Sequence, residues 1–189
     1  MKINYVAMNR YKLPSLIIVL IFIGSLFTQC TNQLYKTGME FYESGNYQYA
    51  INQYSQWIEE DADNAKAYIA RADAYLKLDK KAKAAKDYGR AGSFKKHEEL
   101  FMKAANLYMD IEDYENASRM ATFTIKKDDD HLAAHKLNIK ALIELEKYPD
   151  AYTYSSELIE LEENSSNHYW HGFIAEKIDE NDIAEKNFR

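Results

Sequence analysis

The sequence predicts an all-α fold in which antiparallel helix hairpins stack in a row, and three observations lead there. From Gly38 to Trp57 a small residue and an aromatic (Gly38, Phe41), a turn (Gly45, Tyr47) and a second small-then-aromatic set (Ala50, Tyr54, Trp57) describe two short helices packed face to face. Gly38 and Ala50 stand where two backbones approach, and the rings fill the wider space around them. The same spacing then recurs to the end of the chain. Finally, two prolines and six glycines in 189 residues favour helices with short connections over a turn-rich β architecture. At 47% hydrophobic and 29% charged, the chain is long enough for one domain with a continuous core. Its sixteen tyrosines suit paired helices, where the ring is buried and the hydroxyl stays at the edge.

The first thirty residues are different in kind. Lys2, Arg10 and Lys12 precede an apolar run from Leu16 to Phe27, which reads as an export signal over residues 1–29. The run falls short of the ~20 residues needed to span a bilayer as a helix. Met8 is an alternative start. Behind the run come Phe27, Thr28, Gln29 and Cys30, the only cysteine of the chain. This arrangement resembles a bacterial lipoprotein signal, in which the cysteine is acylated and becomes the first residue of the mature chain. That family prefers Leu three residues before the cysteine and Gly or Ala directly before it, where this chain has Phe27 and Gln29. An uncleaved signal anchor with an incidental cysteine is the alternative. The resemblance implies an exported, periplasm-facing protein of the cell envelope, held to a membrane through lipid on Cys30. A sole thiol excludes an internal disulfide framework. Without the three basic residues of the leader, 21 basic face 30 acidic side chains, a net charge near −9 that disfavours nucleic acid as a partner.

After Cys30 the units follow one another directly, at about 31–64, 65–97, 98–131, 132–164 and an incomplete 165–189. The second carries Tyr68, Ala72, Tyr75, Ala84, Tyr88 and Ala91 where the first has Leu34, Gly38, Phe41, Ala50, Tyr54 and Trp57. Its turn, Leu78 to Ala82, lacks the glycine, which weakens the motif locally while the helical period persists. The third has Phe101, Ala105, Tyr108, Tyr114, Ala117 and Ala121; Ala121 replaces an aromatic whose volume the neighbouring Phe123 is expected to fill. The fourth has Leu142, Tyr148, Ala151 and Leu158, with Pro149 at the start of its second helix, where the missing N–H has no partner to lose. The fifth has Tyr169, Gly172, Ala175, Ala184 and Phe188.

This pattern resembles the tetratricopeptide repeat, with its period of about 34 residues. The resemblance implies a right-handed superhelical solenoid of about four and a half repeats, whose first helices line a concave groove. The inward positions are then Asn32, Tyr35, Lys36 and Met39; Lys66, Ile69, Ala70 and Asp73; Glu99, Met102, Lys103 and Asn106; Ala133, Lys136, Leu137 and Lys140; Ser166, Tyr169, Trp170 and Phe173. Two zones emerge: a basic patch of Lys103, Asn106, Lys136 and Lys140, and an aromatic patch of Tyr169, Trp170 and Phe173. The basic patch resembles the clamp by which some members hold the terminal carboxylate of a peptide, although that clamp uses Lys and Asn of one repeat. Solvated lysines are the plain alternative for the first zone, and an inner face awaiting more chain is the alternative for the second.

No catalytic or metal constellation is expected. His131 and His135 stand four apart, a zinc spacing, but the glutamate of the protease motif is absent. Asp128 to Asp130 lack the alternation and glycine of a calcium loop. No nucleophile elbow, phosphate loop or dinucleotide fingerprint occurs, so no cofactor is implied. The leading expectation is a non-enzymatic adaptor or scaffold that binds a protein or peptide partner in its groove. A glycan- or nutrient-binding helical-repeat lipoprotein of an outer-membrane uptake complex is the alternative, and an enzyme comes third.

Overall fold

The computed structural model describes residues 33–188 apart from residue 96. The leader over 1–29, Cys30 and the groove position Asn32 lie outside the described residues. Ten helices and no strand occur among those described: α1 (33–43), α2 (Tyr47–Glu60), α3 (Ala65–Lys77), α4 (Lys81–Lys95), α5 (Glu98–Asp110), α6 (Tyr114–Ile125), α7 (Leu132–Glu144), α8 (Tyr148–Leu161), α9 (Ser165–Lys177) and α10 (Asn181–Phe188). From α2 onward each helix packs on the next, and α5 also touches α7. The first helices of successive hairpins begin at Ala65, Glu98, Leu132 and Ser165, about 33 to 34 residues apart.

One backbone device makes every hairpin turn. Gly45, Asp79, Glu112, Glu146 and Asp179 sit at φ between 54° and 80°, each inside the connection between a first and a second helix. The N–H of the following residue then returns to a carbonyl five residues back: Asn46 to Phe41 at 2.8 Å, and Lys80 to Tyr75, Asp113 to Tyr108, Lys147 to Leu142 and Glu180 to Ala175 at 2.9 Å. This is the closure of a Schellman-type helix end. Glycine occupies the position once. The other four turns keep the same geometry with a carboxylate-bearing residue, so the missing glycine at Asp79 costs local strain without changing the hairpin.

Between hairpins the sequence supplies side-chain caps. Asn64 accepts from the Ala67 N–H at 3.2 Å and Asn164 from the Asn167 N–H at 2.9 Å, which satisfies orphan donors at the starts of α3 and α9. His131 does the same for α7, accepting at Nδ1 from the Ala134 N–H at 3.2 Å. Asp113, in a hairpin turn, caps α6 from Asn116. Pro149 lies in the first turn of α8.

The small positions are fully enclosed. Ala50, Ala72, Ala84, Ala105, Ala117 and Ala151 expose nothing to solvent. A Cβ on Gly38 would meet the Tyr54 ring at 2.4 Å, so that glycine exists to seat a tyrosine. Phe123 packs its ring on Phe101, with centroids 5.3 Å apart, beside a buried Ala121. One cluster of buried residues runs from Ala65 to Ala141; a second gathers around Tyr54 and Trp57, a third around Ile139, Leu158 and Ile174. Helix α7 joins the first cluster to the third, since Ala141 faces one and Ile139 and Leu142 the other. Two polar pairings cross this core, while Trp57 Nε1, His135 Nδ1 and Asn138 Nδ2 are buried with no hydrogen-bond partner among the described residues. Arg71 donates from Nε and Nη2 to Asp87 at 2.7 and 2.9 Å and from Nη1 to Ser55 at 3.0 Å. Ser118 donates to Asn138 at 2.6 Å.

Candidate functional site

Helices α7, α8 and α9 enclose a pocket of about 410 Å³. Its apolar floor is Ile139 and Ile143 of α7 and Leu158 of α8. Ile139 and Leu158 belong to the buried cluster that Ile174 of α9 completes, and Ile143 packs half-buried against it. Lys136 and Lys140 stand one turn apart along the α7 side, with Glu144 a further turn on. Asn164, Ser166, Asn167 and Trp170 close the α9 side.

The electrostatics separate the two lysines. Lys136 Nζ donates to Glu162 Oε2 at 2.5 Å, and this ammonium, with help from the Asn167 amide, holds the Glu162 carboxyl below the usual range. Lys140 has no carboxylate partner among the described residues and keeps its charge for the pocket. Asn167 Nδ2 also donates to the Glu162 carbonyl at 2.6 Å, which fixes the link between α8 and α9 against the pocket wall. At the base, Ser155 donates to the Tyr152 carbonyl at 2.9 Å and lies 2.8 Å from His171 Nδ1. With its single proton already given to the carbonyl, the serine oxygen accepts from the imidazole. Burial pushes the His171 pKa down, and the neighbouring His168 adds to this, so the ring sits neutral beneath the pocket.

Of the two zones that the sequence singled out, Lys136, Lys140 and Trp170 share this pocket, together with the groove position Ser166. Lys103, Asn106, Tyr169 and Phe173 do not line it. Lys103 extends over the Tyr88 ring at 5.5 Å, while the Tyr88 hydroxyl bonds to Asp73. Asn106 donates to the Met102 carbonyl of its own helix at 2.8 Å. Tyr169, 57% exposed, and Phe173 meet Trp170 edge to face, each with a centroid 6.0 Å away. The two expected zones therefore overlap at one place, where Lys136 and Lys140 in the middle of α7 line one pocket with the indole of α9. Sequence reasoning missed Glu162, Asn164 and Asn167. Asn164 alone carried a signal, a cap residue before a helical run; the contact between Glu162 and Lys136 arises from hairpin stacking.

The remaining candidates have structural roles. His135 is buried and its Nε2 meets the Asp129 carbonyl at 2.8 Å, while His131 is the cap of α7. No group of three metal-ligating side chains is found among the described residues. No helix among them is long and apolar enough to cross a membrane.

Fold and groove together define the class as a solenoid of stacked helix hairpins. Residues 35–94 match the tetratricopeptide repeat family, and the all-α solenoid of the described residues is the fold of that family's solved members. One similar structure is MamA from AMB-1, 15% identical, with a TM-score of 0.59 over 84% of this chain and 87% of that one. Residues 41 to the end of MamA from Desulfovibrio magneticus RS-1 are 14% identical, with a TM-score of 0.53 over 84% and 91%. YrrB, described as a tetratricopeptide-repeat protein with an unusual peptide-binding site, is 14% identical, with a TM-score of 0.57 over 85% and 88%. No curated protein matches the chain. At these identities the likeness speaks for the fold alone.

Proposed function

We propose that the chain is a non-enzymatic adaptor, exported and held at the cell envelope by lipid on Cys30, whose groove takes a peptide segment of a protein partner. The observation that carries the reading is the pocket between α7 and α9, where Lys140, an ammonium with no carboxylate partner among the described residues, stands beside an apolar floor and the Trp170 indole. That combination suits an apolar side chain next to a carboxylate, as at the end of a polypeptide. Tetratricopeptide-repeat solenoids present such grooves, and the peptide-binding site described for YrrB is a precedent on the same fold.

The test is fluorescence anisotropy with paired peptides that end in an apolar residue, one with a free terminal carboxylate and one amidated. The free form is expected to bind about tenfold tighter, and Lys140→Ala to remove most of that difference together with its salt dependence. Trp170→Ala should weaken both forms alike. Equal binding of the two peptides, or affinity indifferent to both substitutions, would sink the reading. The anchor is tested separately by metabolic labelling with a fatty-acid analogue: Cys30→Ser should lose the label and leave membranes, and an unlabelled parent chain rules the anchor out while leaving the groove untouched.

A further inference from the structure

A second groove lies elsewhere on the solenoid and shares no residue with the first. It occupies about 550 Å³ between α4 and α6, the second helices of neighbouring hairpins, with Tyr108 of α5 and Tyr68 of α3 also on its walls. All three arginines among the described residues, Arg71, Arg90 and Arg119, line it, and Lys86 joins them. Lysine supplies the other cations of these helices, so the described guanidinium groups of an acidic protein are gathered into one cleft.

Their pairing divides them. Arg71 is spent on Asp87, which also lines the groove, so this couple adds no net charge. Arg90 lies over its neighbour Phe94 at 4.6 Å and meets no carboxylate among the described residues. Arg119 donates to the neutral amide oxygen of Asn116, which Asp113 holds in place through the amide nitrogen. Lys86 has no carboxylate partner among the described residues. Three unneutralised positive charges therefore border a cleft whose walls include Met120 and the 40% exposed ring of Phe123.

We infer that this groove is a second docking surface, for an acidic segment of a partner protein that carries carboxylates flanked by an apolar side chain. Charge complementarity selects the occupant. Two forks, Arg90 from α4 and Arg119 from α6, bind carboxylates in a planar, bidentate manner that lysine does not reproduce. Anionic membrane fits less well, because the charges border a cleft with apolar walls in a molecule whose remaining surface is net acidic and would be repelled. The inference stands apart from the α7–α9 pocket: it needs side-chain carboxylates, not a chain terminus. If both hold, the molecule binds two partners at once.

The probe is a synthetic peptide rich in glutamate with one leucine, acetylated and amidated so that it has no terminal charge, titrated against the full chain. Binding is expected to weaken about tenfold or more in Arg90→Ala/Arg119→Ala, and likewise when salt rises from ~0.05 M to ~0.5 M. Arg90→Lys/Arg119→Lys, which keeps charge and loses the fork, should recover only part of the affinity. Lys140→Ala should leave it unchanged. Circular dichroism melts confirm that the variants fold. Binding that survives the double alanine variant, that is lost in Lys140→Ala, or that is matched by anionic lipid vesicles overturns the inference.

Discussion

At the scale of single residues, titration of a buried imidazole gives the clearest handle. His171 is enclosed beneath the pocket with the Tyr152 ring at 4.6 Å, and burial lowers its pKa below the ordinary 6.5. In the unfolded chain the imidazole takes a proton near its ordinary value, while in the fold it resists until lower pH. Between those two points the unfolded state holds more protons, so stability rises with pH across the window and falls as pH drops below about 6.5. Melting temperature is therefore expected to decline from about pH 7.5 to about pH 5.5. His171→Asn, whose amide can still donate to Ser155, should flatten that decline. An equal slope in parent and variant would assign the acid sensitivity to other groups. Arg71 is the second residue of interest: its guanidinium, 18% exposed, faces a carboxylate only 7% exposed, so Arg71→Ala strands Asp87 and is expected to cost about 3 kcal/mol in urea denaturation.

At the scale of the element, the turns and the small positions define each hairpin. Glu112 and Glu146 hold φ of 60° and 55°, a region that L side chains occupy at a cost and glycine occupies freely. Glu112→Gly and Glu146→Gly are each expected to stabilise the fold by about 0.5 to 1 kcal/mol, although glycine makes the unfolded chain more flexible. Chemical denaturation measures this, and a loss in both would mean that the side chains hold the turns in some other way. The opposite sign is expected at the helix contacts. Ala84 and Ala117 are wholly enclosed, so Ala84→Leu or Ala117→Leu should force helices apart and cost ~1 to 3 kcal/mol. Parent-like melting of both variants would contradict the register.

At the scale of the molecule, contacts run along the stack and scarcely across it, because each helix packs on its chain neighbours. Such an array is stabilised by the sum of its hairpins and the interfaces between them, so a hairpin with one neighbour is held less firmly than one with two. Amide hydrogen exchange should be slowest in α4, α5 and α6, which share the largest buried cluster, and fastest in α1 and α10. Uniform protection along the chain would instead indicate a single cooperative unit. The stacking also explains the two grooves. Neighbouring hairpins leave clefts between equivalent helices, and side chains at the rim decide what each cleft attracts.

The sequence by itself determined the hairpin architecture of this protein, because its signal is local and repeated: Gly38 before Tyr54 and Ala72 before Tyr88 state one packing rule twice, and the third unit keeps the spacing with Ala121 in the place of the ring. It also determined the place of Pro149, which depends on a few neighbouring residues. It made Lys136, Lys140 and Trp170 visible as groove positions through their register. The tertiary structure alone decided that these three share a pocket while Lys103 lies over Tyr88, that Glu162 neutralises Lys136 but leaves Lys140 charged, and that Arg71, Arg90 and Arg119 gather on one cleft. The physical reason is distance along the chain. A helix period tells which face a side chain takes, but charge pairing and cleft shape depend on the rotation between stacked hairpins, and that rotation is set by the summed packing of many side chains.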